Sequence, residues 1–348
     1  MELTERKLKI LQAIISDYVR SAEPVGSRTL SKRFDLGISP ATIRNEMSDL
    51  EEMGYLTHPH TSAGRVPSDK AYRLYVNNMM KKHELSMAEK NLIAERLRDH
   101  VNEFEDTIKH AAKLLSEITN LTSFAMTPTK NEETLRFINL LPVDERTVVL
   151  MIVSESGKIS NTALKLNVPY TEEGLQLLAK NMTYAYNGKK MTDVLKENII
   201  SHFESDIAAM SKLEENIMPS FMKTLEDMLN VNLYMDGLTN IFDIPEYNDL
   251  SKAKNFLSLL DKKEDFTKKL LEREDGIIVT IGDENADDMM NDCTLITATY
   301  HVDGKMVGKI GVIGPTRMKY DEITSIIEYL TDNLNNTFRL EGTINDNE

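Results

Sequence analysis

One dipeptide, Ser39-Pro40, set behind the turn-forming stretch Asp35-Leu36-Gly37-Ile38, constrains this chain more than any other feature. A serine hydroxyl accepts from the open N–H groups at a helix start, and proline fits the first helical position, where its missing N–H is not needed. A helix therefore begins at residue 40 and is stopped by Gly54. Upstream, residues 27–34 predict a shorter helix with Leu30 and Phe34 as an apolar pair. Residues 4–20 predict a longer one with Leu8, Leu11, Ile15, Tyr18 and Val19 on one face. Helix, tight turn and helix against a supporting helix is the form of a helix-turn-helix.

A helical wheel divides the third helix. Ile43, Met47 and Leu50 fall within about 60° of one another and face the other two helices. Ala41, Arg44, Asn45, Ser48 and Glu52 lie on the opposite flank. In this motif the N-terminal end of the second helix enters the major groove. Arg suits a bidentate bond to guanine and Asn one to adenine, so Ala41, Arg44, Asn45 and Ser48 are the expected base-reading residues. Ser39 and Thr42 flank them near the positive end of the helix dipole, and Arg28, Lys32 and Arg33 offer phosphate contacts from the preceding helix. Residues 55–58 and 65–67 form short strand-like segments around Pro59-His60-Thr61-Ser62-Ala63-Gly64, the pattern of a wing. Arg65 is expected to reach a minor groove or backbone there, with His60 in the tip. His58 and His60 have no nearby cysteine or acidic partner in sequence, and no metal is expected. Ser68 starts a fourth helix whose Tyr72, Tyr75, Val76 and Met79 pack back on the module.

Charge supports a separate N-terminal module. Net charge over 348 residues is −15, yet residues 1–82 carry 13 Lys/Arg against 10 Asp/Glu, and the remainder 28 against 46. The module is thus net +3 and the body net −18. An acidic body repels DNA over a Debye length of about 8–10 Å, so a DNA surface has to project away from it. The longest strictly apolar run is residues 148–153, far short of the roughly 20 residues a membrane helix needs. No signal-peptide pattern opens the chain, and the expected location is cytoplasmic with no membrane partner. A lone Cys293 forbids an internal disulfide and a multi-cysteine zinc site.

The body alternates helix and strand signals. Ser86 and Glu89 form a capping box. Leu97, Val101, Phe104, Ile108, Ala111, Leu115 and Ile118 repeat as a heptad seam, suited either to dimer contact or to docking on the body. Strands are expected at 135–141, 147–154 and 159–166, then helix from Thr171, a helical stretch over 191–229 broken at Pro219, a short strand and turn at 233–237, and a helical pair over 250–271. Strands resume at 276–281, 295–301 and 305–313, followed by a final amphipathic helix. Strands on both sides of a helical stretch suggest, among other options, one sheet domain interrupted by an insertion. Gly308, Gly311 and Gly314 lack the Gly-Lys-Ser/Thr ending of a phosphate loop. The acidic cluster Asp283, Glu284, Asp287 and Asp288 reads as a solvated loop, and no catalytic constellation is found; neither enzyme activity nor a cofactor is expected.

Five runs carry a resemblance. Val25-Gly26-Ser27-Arg28, Ser39-Pro40-Ala41-Thr42-Ile43-Arg44-Asn45-Glu46-Met47 and His60-Thr61-Ser62-Ala63-Gly64-Arg65-Val66-Pro67 resemble the N-terminal signature of the HrcA family, heat-inducible repressors of bacterial chaperone genes. Ile281-Gly282-Asp283-Glu284-Asn285 and Gly311-Val312-Ile313-Gly314-Pro315-Thr316-Arg317-Met318 resemble its C-terminal part. The resemblance implies a multidomain α+β protein with an N-terminal winged helix-turn-helix, a GAF-like α+β domain and an inserted, mainly helical dimerisation domain. On that plan residues 1–82 bind DNA, 83–119 connect, 120–190 and 276–341 form the GAF-like domain, 191–275 form the insertion, and 342–348 are a disordered tail. It further implies a homodimer on double-stranded DNA with an inverted repeat ahead of chaperonin and other heat-shock operons, and activity dependent on the GroE chaperonin. An alternative is a winged-helix repressor controlled by a small ligand in the GAF-like domain.

Overall fold

The structure, a computed structural model, describes residues 3–59, 64–98, 104–126, 133–155, 157–196, 208–229, 231–302 and 305–345. The chain divides into two compact units, residues 1–127 with 232–348, and residues 128–231.

The first unit opens with α1 (Glu5–Ser21), α2 (Ser27–Arg33), α3 (Pro40–Glu52), β1 (Leu56–Thr57), β2 (Val66–Pro67) and α4 (Asp69–Leu74), the last running on as a π-helical turn over Tyr75–Met79. The expected tri-helical module and wing are present. Thr4 caps α1 by accepting from the Lys7 N–H, and Ala22 closes it in the left-handed conformation. Ile10, Leu11, Ile14, Leu30, Ile43 and Leu50 form its buried centre.

The chain continues through α5 (Met87–Arg98), α6 (Phe104–Thr119) and β3 (Thr122–Met126). The second unit supplies β4 (Leu135–Pro142), β5 (Thr147–Ser154), β6 (Ile159–Lys165), α7 (Glu172–Tyr186), α8 (Met191–Lys196) and α9 (Ala208–Leu229). The first unit resumes with β7 (Leu233–Asp236), α10 (Leu250–Asp261), α11 (Lys263–Leu271), β8 (Ile278–Ile281), β9 (Cys293–Val302), β10 (Lys305–Pro315) and α12 (Tyr320–Asn345).

In the first unit, five antiparallel strands run in the order β7-β3-β10-β9-β8. One face, with Ala125, Ile296, Ala298, Ile310 and Val312, packs on Ile108, Ala111 and Leu115 of α6 and on Ile323, Ile327 and Leu330 of α12. The other face meets α11, where Phe124 and Phe266 make an edge-to-face pair at 5.4 Å. Gly308, Gly311 and Gly314 lie within β10, an interior strand of this sheet.

In the second unit the order is β4-β5-β6. Ile138, Leu140, Val148, Leu150, Ile152 and Leu164 pack beneath Leu175, Leu178 and Met182 of α7 and Ile217, Phe221 and Leu225 of α9. The alternation of a strand sends the intervening residues to the opposite face. Register brings Phe137, Val153 and Ile159 into one row, Asn139, Met151 and Asn161 into the next, and Leu141, Val149 and Ala163 into a third. Seven of these nine are apolar, and Phe137, Leu141 and Ile159 are exposed.

Several expectations need correction. The strands expected at 135–166 do not join the C-terminal strands; their hydrogen bonds close within their own three-stranded sheet. The unit between the two parts of the larger sheet is therefore residues 128–231 rather than 191–275, while 232–275 belongs with the five-stranded sheet. The heptad seam over 97–118 is not one rod. Arg96 of α5 pairs with Glu117 of α6, 21 positions on, so the two helices lie side by side; Val101 falls outside the described residues. α9 runs through Pro219 instead of breaking there. Pro219 sits on the exposed side of the helix, as does Glu215 four residues earlier, whose carbonyl the proline cannot bond. The final helix extends to Asn345, past the expected tail boundary at 342. β3 was not anticipated: five residues of Thr, Ser, Phe, Ala and Met carry no alternation, because both faces of this interior strand are buried.

Candidate nucleic-acid interface

α3 is held by a cap at its N-terminus and by contacts along its flanks. Ser39 Oγ accepts from the Thr42 N–H at 3.1 Å and lies 3.0 Å from Thr42 Oγ1, with Pro40 at the first helical position. Ile43, Met47 and Leu50 are buried against α1 and α2 as their spacing requires. Along the lateral edge, Lys7 of α1 bonds Glu46 and Asp49 of α3, each at 2.9 Å. Those two acceptors hold the Lys7 ammonium above the usual lysine range, Glu46 contributing most. α2 is tied in by Arg33, whose guanidinium meets the buried carboxylate of Asp17 at 2.7 Å.

This packing leaves the polar flank of α3 open. Ala41, Arg44, Asn45 and Ser48 are exposed, as are Ser39, Arg28 and Lys32, and Thr42 is half-buried under its contact to Ser39. The cations sort into two groups. Lys7, Arg33, Arg65 and Arg73 are committed to carboxylates. Arg28, Lys32 and Arg44 have no carboxylate partner among the described residues. An unpaired exposed guanidinium beside Asn45 near a helix N-terminus suits a polyanion with readable base edges.

Two expected contacts stand differently. Arg33, read as a phosphate contact, is held by Asp17. Arg65 is not a free wing cation: its guanidinium bonds Glu51 Oε2 at 2.7 Å and His58 Nδ1 at 2.9 Å, leaving the side chain 21% exposed. Its main chain bridges to Val25 through two hydrogen bonds of 2.9 Å. Gly64 makes that approach possible, since a Cβ there would sit 2.5 Å from the Val25 carbonyl. The role of Glu51 was not legible in the sequence, because its partner lies across the hairpin and no periodicity joins them. His60 lies outside the described residues.

No helix among the described residues is long and apolar enough to cross a membrane. A family model described as "Winged helix-turn-helix transcription repressor, HrcA DNA-binding" matches residues 2–81, and one described as "HrcA protein C terminal domain" matches residues 105–324. The heat-inducible transcription repressor HrcA of Clostridioides difficile (strain 630) is 43% identical over 335 residues, covering 95% of this chain and 98% of that protein. The repressor of the same name from Clostridium tetani (strain Massachusetts / E88) is 42% identical over 336 residues, covering 96% and 95%. A crystal structure of a hypothetical protein at 2.2 Å resolution shares the fold with a TM-score of 0.64 at 23% identity, covering 97% of this chain and 99% of that one. With a winged module matched at one end and the family's C-terminal domain behind it, the chain belongs to the HrcA family of heat-inducible transcription repressors, DNA-binding regulators and not enzymes.

Proposed function

We propose that this repressor acts as a homodimer on an inverted repeat ahead of chaperonin and related heat-shock operons, with its activity dependent on the GroE chaperonin. Ala41, Arg44, Asn45 and Ser48 read base edges, Arg28, Lys32, Ser39 and Thr42 meet phosphates, and His60 is assigned to DNA contact with them. Arg65 serves this site by holding the wing base to α3 rather than by meeting DNA. The observation that carries the reading is the open flank of α3: its cation is left unpaired while other cations of the module are tied to carboxylates.

The five-stranded sheet with its helices is the GAF-like domain in this reading, and residues 128–231 are the inserted dimerisation domain. Support for the second assignment comes from the open face of β4–β6, whose apolar rows would be covered by a second copy. A two-fold pair of modules matches a two-fold repeat in DNA. Operator control and chaperonin dependence come from the family resemblance.

Gel shifts of the full chain on a duplex carrying the inverted repeat, with and without chaperonin, test the reading. It expects a dimer-sized complex that resists a scrambled competitor and gains occupancy with chaperonin. Equal binding to scrambled duplex would overturn the operator assignment, and unchanged occupancy would overturn the chaperonin one.

A further inference from the structure

The DNA-reading module is fastened to the core of its own unit by charged bonds. Arg73 of α4 donates from Nε to Glu284 Oε1 at 2.7 Å, and from Nη2 to the other Glu284 oxygen and to the Val279 carbonyl at 2.6 Å. The same Glu284 carboxylate accepts from the Ile281 N–H at 2.9 Å, so the shape of the Gly282–Asn285 turn and its grip on α4 depend on one group. Gly282 has φ +56°, and a Cβ there would overlap the Asp69 carboxylate at the head of α4. Farther along, Arg317 donates to the Val19 carbonyl of α1 at 2.9 Å while pairing with Glu246. A cleft of about 300 Å³, lined in part by Val19, Asn120, Ile244 and Ile323, lies at this junction. The same junction buries Tyr72 of α4 against Tyr320 of α12, ring centroids 5.7 Å apart, so the charged bonds fix the orientation of an apolar contact that borders a cleft.

We propose that α4 and the Gly282–Asn285 turn form a latch holding the DNA-reading module in one orientation on the core, and that two half-sites are engaged together only while it is closed. The proposal rests on the inverted-repeat reading above.

The latch contains its own opposing charge. Asp69 faces Asp283 and Glu284 of the turn, Asp292 at the head of β9 and Tyr320 of α12, while Arg73 on its own helix is committed to Glu284. Burial first, and then the three carboxylates, push the Asp69 carboxyl up to about 6. In the open state it would return to its ordinary value of 3.8. Closure is therefore strongest where Asp69 is protonated in both states, weakens as pH rises from there to about 6, and is flat above. Asp69→Asn removes the opposing charge and tightens the latch at neutral pH.

Hydrogen exchange and DNA binding on the full chain at pH 7.5 test this together. Arg73→Met should speed exchange in α4 and the turn and weaken inverted-repeat binding about tenfold, the scale of one charged hydrogen-bonded pair, with half-site binding within about twofold of wild type. Asp69→Asn should slow the same exchange without loss of binding; this variant keeps the test decisive if Arg73→Met does not fold. Unchanged exchange in either variant, an unchanged inverted-repeat affinity once exchange has risen, or equal losses on both duplexes overturns the latch. A wild-type chain that binds one half-site as well as two would instead sink the functional reading, leaving the exchange results to judge the latch alone.

Discussion

Arg44 and Arg65 bring the same charge to the same module and are used in opposite ways. Arg44 projects from α3 without a carboxylate partner among the described residues, whereas Arg65 is neutralised by Glu51 and bonded to His58. Arg65→Ala should thus lower the stability of the module by about 1–2 kcal/mol, the scale of one charged hydrogen-bonded pair. Because it also frees Glu51, the slope of log K against log salt should change little; a full-unit drop with an unaltered melting temperature would place Arg65 on the DNA. Gly64→Ala forces a Cβ against the Val25 carbonyl and should cost about 1–3 kcal/mol in thermal or urea unfolding. An unchanged transition would show that the wing base shifts freely. The wheel separated buried Ile43, Met47 and Leu50 from exposed Ala41, Arg44, Asn45 and Ser48 because helical period alone decides facing. It could not say which cations stay free, because that depends on where Asp17 and Glu51 arrive in space.

At the scale of elements, local chemistry was readable and partnership was not. Ser39-Pro40, the Ser86–Glu89 capping box and Thr171 act within a few residues and start helices where their bonds require. The alternation in β5 likewise shows its buried face directly, with Val148, Leu150 and Ile152 turned inward. Which strands pair is a long-range choice. β3 joins β10 and β7 across more than a hundred residues, and β4–β6 close a sheet of their own. That second sheet gives a direct prediction. Met151 lies at the centre of the open apolar grid, so Met151→Glu places a charge inside any interface formed there. Light scattering should then report the mass of one chain, with circular dichroism unchanged. A retained dimer mass would move the self-association surface elsewhere in the chain.

Over the whole molecule, charge and connectivity divide the labour. A module of net +3 is attached to a body of net −18, so the phosphate backbone is attracted to the module and repelled by the body. The two-part composition was evident from counting. The division of the body was not, because the helical signals over residues 191–275 straddle the point near 231 where the chain returns to the larger sheet. α10 and α11 look like a continuation of the preceding helices in sequence, yet Phe266 of α11 packs on Phe124 of β3. Contact between distant residues, rather than local periodicity, sets that boundary.

If the open flank of α3 reads base identity, alanine at Arg44 or at Asn45 removes discrimination between duplexes. Binding of each variant to the inverted-repeat duplex and to a scrambled duplex of equal length should be compared at one fixed salt concentration. Base readout by these two side chains should cost about 1–3 kcal/mol per substitution on the inverted repeat and almost nothing on the scrambled duplex. Equal losses on the two duplexes, or no loss on the inverted repeat, would contradict it.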